Sequence, residues 1–159
     1  MASILVTFYS RSGNTKAMAD FVAAGAREVS GAQIDVKPVG EITPDDLLQY
    51  DALILGSPVY YGSMAAEVKQ LIDESVCHHG KLTGKVGGAF ASSGGLAGGN
   101  ETTCLDLVKA LLIHGMIVQG DAGGDHYGAV AVGAPDERSQ KECRKLGRRV
   151  AELAVKLFG

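Results

Sequence analysis

The chain places ILVTFYSRSGNT at residues 4–15, where an apolar run leads directly into a polar, glycine-containing turn. A near-continuous apolar run of this length is typical of a strand buried on both faces of a sheet. Apolar residues then recur at helical spacing over residues 14–30. This stretch therefore predicts a buried strand, a tight turn and a helix, which together form the first unit of a parallel α/β sheet.

The same alternation continues along the rest of the chain. Strands are predicted at 33–39, 52–55 and 86–91, and a fifth strand is predicted to begin at 116–118. Helices are predicted to begin at Thr43-Pro44, to carry apolar stripes over 64–72 and 104–112, and to span 136–158. Five strands alternating with helices indicate the α/β class, with a parallel sheet between two helical layers. The length of 159 residues predicts a single domain spanning 1–159.

The bulk composition excludes several classes of protein. Hydrophobic residues make up 46% of the chain and charged residues 21%, which is ordinary for a globular protein. The formal net charge of −3 argues against nucleic-acid binding. No apolar stretch is long enough to span a membrane, and the N-terminal residues lack the pattern of a signal peptide.

The cysteines and glycines give two further expectations. Cys77, Cys104 and Cys143 are far apart and form no CxxC pair, so we expect no disulfide framework, no metal site and a cytoplasmic location. Glycine is unusually frequent, with 22 in the chain. A glycine excess of this kind indicates tight turns or close approaches of the backbone.

Ligands of parallel α/β sheets bind beyond the carboxyl ends of the strands, so the loops after the first, third and fourth predicted strands are the candidate site. The first loop, residues 10–15, places hydroxyl and small residues at a helix N-terminus, where backbone N–H groups attract a phosphate. It contains neither a GxGxxG dinucleotide fingerprint nor a Walker loop. A turn that only caps the helix is the alternative.

The other two loops supply an aromatic platform and a backbone-lined slot. Residues 56–64, GSPVYYGSM, place adjacent tyrosines where an aromatic ring can stack on a flat cofactor. Residues 92–101, SSGGLAGGNE, offer backbone N–H groups that glycine leaves accessible to a heterocycle. The alternative for the first of these loops is that the tyrosines are buried in the core. The alternative for the second is a mobile surface loop. The three loops together favour a mononucleotide with a flat ring, flavin mononucleotide (FMN).

These loops resemble a known family over nearly the whole chain. Residues 10–15 are similar to the flavodoxin phosphate signature, and residues 56–64 and 92–103 resemble flavin loops of the tryptophan-repressor-binding-protein type of NAD(P)H:quinone oxidoreductases. Residues 114–116 (HGM) and 123–129 (GGDHYGA) are similar to later motifs of that family. The resemblance implies a flavodoxin-like three-layer sandwich with a five-stranded parallel sheet in the order 2-1-3-4-5.

The resemblance also implies specific FMN contacts by position. The phosphate contacts would be Ser10, Ser12, Gly13, Asn14 and Thr15. The ribityl chain and one side of the ring would contact Pro58, Val59, Tyr60, Tyr61 and Gly62, and the other side Ser93, Gly94, Gly95 and Gly98. No catalytic side chain is expected, because the flavin supplies the redox chemistry.

Several residues depart from the pattern of that family. The quinone-reductase branch has an aromatic residue at the position of Ser12, a tryptophan over the active site and a longer segment where this chain has residues 38–52. This chain contains no tryptophan, and Ile113 occupies the position of the family's flavin-contacting histidine. The departures concern NAD(P)H binding and quinone specificity and leave FMN binding unaffected.

The resulting functional expectation is an FMN-dependent NAD(P)H:quinone oxidoreductase that acts on a small-molecule acceptor. The alternative is a flavodoxin that carries electrons between redox proteins, although such carriers are usually more acidic than a net charge of −3. A module of a larger complex is a third possibility. We expect no nucleic-acid or membrane partner, and a homo-oligomer, dimer or tetramer, is implied by the resemblance to the reductases.

Three other groups of residues were candidates for function. Residues 77–79, Cys-His-His, lack the spaced partners of a metal site and are expected to form a solvated turn. Six basic residues between 138 and 149 are expected to form the solvated face of the last helix, with partner docking as the alternative. His126 and Tyr127 could reach the flavin or a neighbouring subunit, or simply pack within their loop.

Overall fold

The computed structural model describes all 159 residues as an α/β fold. The strands are β1 (Ala2–Phe8), β2 (Ala32–Pro38), β3 (Ala52–Tyr60), β4 (Ser63–Met64), β5 (Val86–Ser93), β6 (Ile117–Val118) and β7 (Ala129–Val132). The α-helices are α1 (Asn14–Arg27), α2 (Pro44–Leu47), α3 (Ala66–Glu74), α4 (Asn100–Ile113) and α5 (Glu137–Phe158), with short 3₁₀ helices at Val39–Glu41 and Ser75–His78. No helix is both long and apolar enough to cross a membrane.

The sheet has the order β2-β1-β3-β5-β6, and β7 also pairs with β5. All of these pairings are parallel; only the short β4 runs antiparallel, beside the end of β3. When β6 and β7 are taken together as the fifth strand position, this is the predicted order 2-1-3-4-5. The predicted flavodoxin-like arrangement is therefore confirmed.

The fifth strand position differs from the prediction. The sequence pattern placed one strand from 116–118 onward, whereas β6 ends at Val118 and β7 begins at Ala129. Both segments pair with β5, so residues 119–128 interrupt a single strand position rather than follow a completed strand. The motif at residues 123–129 lies in this interruption and enters the start of β7.

Helices cover the sheet on both faces. One core contains Met18 and Val22 of α1 together with Leu146 and Val150 of α5. The opposite core contains buried residues of α2, α3 and α4, including Leu47, Val68, Leu71, Leu107 and Leu111. Within β1, Ile4 and Val6 face the first core and Leu5 faces the second, so β1 is buried on both sides as its apolar run predicted.

Several predicted details of the helices and loops require correction. Leu112, at the end of the apolar stripe predicted over 104–112, is 55% exposed, and Leu157, on the apolar side of the helix predicted over 136–158, is 47% exposed. The loop predicted at 56–64 is largely strand and hairpin, because β3 continues to Tyr60 and β4 contains Met64. The predicted start at Thr43-Pro44 is confirmed: α2 begins at Pro44, and the Asp46 carboxylate accepts hydrogen bonds from the backbone N–H of Thr43 at 2.8 Å and from its hydroxyl at 2.7 Å.

Candidate functional site

The register of the sheet brings the three candidate loops to one edge. Phe8, at the end of β1, pairs with Gly56, and Gly56 pairs with Phe90 of β5. The register then continues to Pro58 beside Ser92. Because these strands are parallel, the loops that follow β1, β3 and β5 all lie at the carboxyl edge, on either side of the β1–β3 contact.

The loop after β1, residues 10–15, is shaped by Ser10. Its hydroxyl oxygen accepts hydrogen bonds from the N–H groups of Gly13, at 3.1 Å, and Lys16, at 3.2 Å. Gly13 has a φ of 99° at the N-cap of α1, a left-handed conformation that favours glycine. The N–H groups of Arg11, Ser12, Asn14 and Thr15 have no acceptor within the protein. They therefore form a set of free donors at the positive end of α1.

Thr15 also links this loop to the third loop. Its side chain is buried, and its hydroxyl lies 2.8 Å from the hydroxyl of Ser92 in β5. The Thr15 hydroxyl is therefore committed to a contact within the protein, and its backbone N–H is the group that remains free. The Ser10 hydroxyl is likewise occupied within the protein, because it accepts from the backbone N–H groups of Gly13 and Lys16. The side chains of Ser12 and Asn14 make no hydrogen bond within the protein.

The second loop is a two-residue hairpin with its turn at Tyr61-Gly62. Val59 pairs with Met64 and Tyr60 with Ser63, and φ is 47° at Tyr61 and 81° at Gly62. Two successive positive φ values are the mark of a type I′ turn, in which a tyrosine is unusual. The Tyr61 side chain is fully exposed at the tip. The tyrosine ring thus projects outward from the tip of the hairpin.

The base of the hairpin is held by groups that the sequence pattern did not identify. Ser57 is fully buried; its hydroxyl accepts a hydrogen bond from the Ala65 N–H and donates one to the Pro58 carbonyl, both at 2.8 Å. Tyr60 is half-buried and packs edge-to-face on Tyr9, with ring centroids 6.3 Å apart. Partial desolvation and then the negative charge of Glu67 raise the pKa of Tyr9 above its ordinary value.

The third loop, residues 93–99, is held by internal hydrogen bonds around Ser93. The Ser93 hydroxyl donates to the Gly95 carbonyl at 2.9 Å and accepts from the Asn100 side-chain amide at 3.1 Å. Neither Gly94 nor Gly95 uses its N–H within the protein, and a Cβ at either position would meet open space. Leu96 is 92% exposed. Asn100 was not predicted as a site residue, although its place directly after the glycine run could have suggested it.

The second and third loops approach each other closely. A Cβ built on Gly99 would lie 3.2 Å from Val59 Cγ1 and 3.3 Å from the Cα of Gly62. The two loops therefore form adjacent walls, and the free donors of residues 10–15 lie beside them at the same edge of the sheet. The fourteen predicted site residues thus lie at one edge of the sheet: before and at the start of α1, at the end of β3 and in its hairpin turn, and at the end of β5 and in the glycine loop after it.

This arrangement fits a phosphorylated flat ring. Four unpartnered N–H groups at the start of a fourteen-residue helix suit a phosphate monoester. The open space above Gly94 and Gly95 and the exposed ring of Tyr61 suit an aromatic heterocycle. No group of three or more His, Cys, Asp or Glu side chains is arranged to hold a metal ion.

The other candidate groups lie away from these loops or are already paired. His78 Nε2 is 2.6 Å from the Asp45 carboxylate, and Cys77 is a free, exposed thiol. Most of the basic residues on α5 form ion pairs with acidic residues of other segments, namely Glu28, Asp121 and Asp125. His126 and Tyr127 are exposed in the 119–128 interruption and line a cavity of about 230 Å³ beside Asn100.

This chain is similar to several known proteins in sequence and in fold. The family model described as NADPH-dependent FMN reductase matches residues 44–126. A flavodoxin from Aquifex aeolicus is 42% identical, and the alignment covers 96% of this chain and 86% of that protein. An NAD(P)H dehydrogenase (quinone) from Archaeoglobus fulgidus is 38% identical, with 99% and 100% coverage. The structure of a WrbA-like flavodoxin from Agrobacterium tumefaciens superposes with a TM-score of 0.82 at 27% identity, covering 98% of this chain and 99% of that one.

The alignment with the Archaeoglobus protein extends over 191 positions, whereas this chain has 159 residues, so the relative contains segments that this chain lacks. The high coverage on both sides shows that these segments are insertions into a shared framework. The chain therefore belongs to the NADPH-dependent FMN reductase family, among the flavodoxin-like FMN-binding proteins that include the NAD(P)H:quinone oxidoreductases of the tryptophan-repressor-binding-protein type.

Proposed function

We propose that this protein is an FMN-dependent oxidoreductase that transfers electrons from NAD(P)H to quinones or similar acceptors. The overall reaction converts NAD(P)H, a proton and a quinone into NAD(P)⁺ and a hydroquinone. The observation that carries the proposal is the set of free N–H donors at residues 11, 12, 14 and 15, next to the Tyr61 hairpin and the Gly94–Gly95 backbone. The family to which the chain belongs supports the same activity.

The proposed phosphate contacts use backbone more than side chains. The N–H groups of Ser12, Asn14 and Thr15 would donate to phosphate oxygens, with Gly13 allowing the close approach of the backbone. Ser10 would hold the loop in this shape through its bonds to Gly13 and Lys16. The dipole of α1 adds positive potential, so a lysine within the loop is not needed.

The proposed ring contacts come from two walls. We infer that one wall is the β3–β4 hairpin, and the other is the glycine loop after β5. The contacts would be Pro58, Val59, Tyr60, Tyr61 and Gly62 on the hairpin, and Ser93, Gly94, Gly95 and Gly98 on the loop. When bound, FMN supplies the ring that accepts hydride and passes electrons on. The chain's own task is to orient that ring, and no side chain is assigned as an acid or base.

The test is direct. The purified protein, loaded with FMN, should oxidise NADH or NADPH when benzoquinone is present, and the rate should depend on both substrates. The Gly13→Val variant is expected to lose bound FMN, because a β-branched residue is strained at a φ of 99°. A protein that binds FMN but oxidises neither nicotinamide with any quinone would contradict the enzyme proposal.

A flavodoxin that carries electrons is the second candidate, and the similarity to the flavodoxin from Aquifex aeolicus favours it. A carrier would bind FMN equally well but would need a reductase to deliver electrons. The two functions separate when the FMN-loaded protein is mixed with NADPH and an acceptor, with and without an added ferredoxin–NADP⁺ reductase. Turnover only in the presence of the added reductase would favour the carrier.

Location, partners and assembly complete the proposal. We infer a cytoplasmic location, which the exposed free thiol of Cys77 supports, since such a thiol persists in a reducing compartment. The partner would be a small-molecule acceptor or a redox protein. A homo-oligomer, dimer or tetramer, would cover apolar side chains such as Leu96, which is 92% exposed. Sedimentation velocity of the FMN-loaded protein tests the assembly.

A further inference from the structure

A groove of about 750 Å³ runs between α3 and α4 and meets the candidate site at Ser63 and Met64, at the end of the second loop. Its apolar lining comes from Met64, Ile72, Val76, Ala110 and Ile113. Val76 and Ile113 are 70% and 71% exposed. We call this feature the α3–α4 groove. Its volume lies within the range of sites for small organic ligands, about 300–1,000 Å³.

The upper end of the α3–α4 groove is continuous with the candidate site. Ser63 and Met64 line the groove and form β4, which pairs directly with Tyr60 and Val59 of the hairpin. The Ser63 hydroxyl donates to the Asp106 carboxylate at 2.6 Å and so fastens the hairpin to α4. From this end the groove follows α3, whose nine residues extend roughly 14 Å at 1.5 Å per residue.

The charged residues of the groove are already neutralised. Lys69 pairs with Asp73 at 2.6 Å along α3, and Lys109 pairs with Asp106 at 2.6 Å along α4. Both lysines can lay their alkyl stems along the groove and keep their ammonium groups in water. The groove therefore offers an uncharged apolar floor between two zwitterionic rims, which suits a hydrocarbon chain rather than an ionic ligand.

The lower end contains the two histidines of the lining, His79 and His114, whose ring centroids are 6.5 Å apart. Burial, and then the proximity of His79, lowers the pKa of His114, which favours its uncharged ring. The groove thus leads from the hairpin, between the two ion-paired rims, towards Val76 and solvent. A chain lying in it would have one end at the flavin loops and the other free.

We propose that the α3–α4 groove binds the isoprenoid chain of a lipid quinone whose ring reacts at the flavin loops. This inference rests on the proposed function, because it names the class of quinone that the enzyme uses. A hydrocarbon chain matches the apolar floor, and continuity with the hairpin matches a ligand whose polar ring lies at the flavin loops. Isoprenoid quinones are then better substrates than quinones without a chain.

The main experiment compares kcat/KM of the FMN-loaded enzyme for quinones that share one ring and carry zero, one or two isoprenyl units. Burial of one five-carbon unit in a partly open groove should raise kcat/KM by about tenfold, chiefly through KM. Val76→Asp should abolish this increase and leave the quinone without a chain unaffected. Leu112→Asp is the matched control, because Leu112 is exposed but does not line the groove.

A second measurement does not depend on activity. Geraniol added to the FMN-free protein should shift the methyl NMR signals of Met64 and Ile113, and Val76→Asp should remove the shift. If geraniol shifts the methyl signals but the protein does not reduce the quinone without a chain, the proposed function is contradicted and the proposal that the α3–α4 groove binds a hydrocarbon chain still holds. Chain-independent kcat/KM with no methyl shifts would overturn the groove proposal, as would a wild-type dimer that Val76→Asp dissociates.

Discussion

Single side chains in this protein act mainly by fixing the backbone of the candidate site. Ser10, Thr15 and Ser57 all have hydroxyls that are engaged within the protein, and each engagement shapes a loop. Sequence reasoning placed Ser10 and Thr15 among the phosphate contacts, because hydroxyls beside the anion site at a helix N-terminus can add donors to phosphate oxygens. It could not see that the hydroxyl of Thr15 faces Ser92, since this contact joins residues 77 positions apart.

Replacing Ser10 with alanine should weaken FMN binding without unfolding the protein. The substitution removes the acceptor of the Gly13 and Lys16 N–H groups, so the loop loses the bonds that preset its shape. Each bond contributes about 1 kcal/mol, so the Kd for FMN should rise roughly ten- to thirtyfold. Titration followed by flavin fluorescence measures this. Ser30→Ala, at an exposed serine far from the loop, should leave the Kd unchanged; equal effects of the two variants would contradict the role of Ser10.

His114 is the residue with a defined pH response. The Ser75 hydroxyl donates to the Ile72 carbonyl at 2.6 Å, so the neutral ring donates from Nε2 to Ser75 Oγ at 2.8 Å. Its Nδ1 is buried without a partner. A proton on Nδ1 would therefore be a buried donor without an acceptor, which agrees with burial lowering the pKa of His114 from 6.5.

The unfolded chain thus binds this proton more readily than the folded protein. The uncharged His114 ring therefore contributes its full share of the unfolding free energy above the unfolded pKa of 6.5. This contribution is lost as the pH falls towards the lower pKa of His114 in the folded protein. His114→Gln should therefore flatten the decrease in unfolding free energy between about pH 7.5 and pH 5. Urea unfolding at several pH values tests this, with His126→Gln as the exposed control. Identical pH slopes for wild type and His114→Gln would show that His114 does not contribute.

At the scale of elements, the hairpin between β3 and β4 is a segment whose structure could not be predicted from local residue preferences. The pattern GSPVYYGSM marked a loop, because Gly, Ser and Pro favour turns. The structure extends β3 through Pro58 to Tyr60 and makes the turn with Tyr61 and Gly62. A tyrosine at φ 47° is not expected from propensity, so pairing of Val59 with Met64 imposes the turn.

A substitution at Tyr61 should affect the stability of the protein and its affinity for FMN differently, because the residue occupies a strained turn position. Tyr61→Asn places at the turn a residue that tolerates the left-handed conformation, so the unfolding free energy should rise or stay unchanged. The same change removes the exposed ring proposed to lie against the flavin, so the Kd for FMN should rise about tenfold. Denaturant unfolding and flavin titration give the two numbers. A variant that is destabilised by more than 1 kcal/mol yet binds FMN normally would refute both the strain and the stacking role.

Helices and strands were predictable from the sequence where a regular spacing of apolar residues extended over a segment longer than a few residues. The first strand and the helices α1, α4 and α5 followed from that spacing. The first strand, α1 and α5 begin within two residues of the predicted positions, and α4 begins four residues before its predicted apolar stripe. The interruption at 119–128 was not predictable, because β6 has two residues and β7 four. Segments so short carry no period of their own and are strands only because both pair with β5.

At the scale of the whole molecule, the structure explains two features of the composition: the cluster of basic residues on α5 and the high number of glycines. The basic residues of α5 are balanced by Glu28 of the α1–β2 turn and by Asp121 and Asp125 of the interruption, so they hold segments together. Glycine serves close packing as well as the loops. A Cβ on Gly25 or Gly147 would overlap the backbone of the facing helix where α1 crosses α5. The glycine excess therefore divides between helix crossing and the proposed ligand edge.

The proposed phosphate contacts make a prediction for the stability of the whole protein. A ligand that binds only the folded state at 100 times its Kd adds about 2.7 kcal/mol to the unfolding free energy. For a chain of this size that corresponds to a rise in Tm of roughly 5–10 °C. FMN should produce this rise, whereas riboflavin at the same concentration should produce a clearly smaller one, because it lacks the phosphate for the free N–H groups at residues 11, 12, 14 and 15.

The Ser10→Ala variant sharpens this comparison, since it changes the phosphate loop and leaves the ring-binding walls intact. In that variant the difference between the FMN and riboflavin shifts should narrow, chiefly through a smaller FMN shift. Differential scanning calorimetry with each flavin measures both shifts under one condition. Equal stabilisation by FMN and riboflavin in the wild type would mean that the donors at the start of α1 do not bind the phosphate. The flavin would then be held by the hairpin and the glycine loop alone.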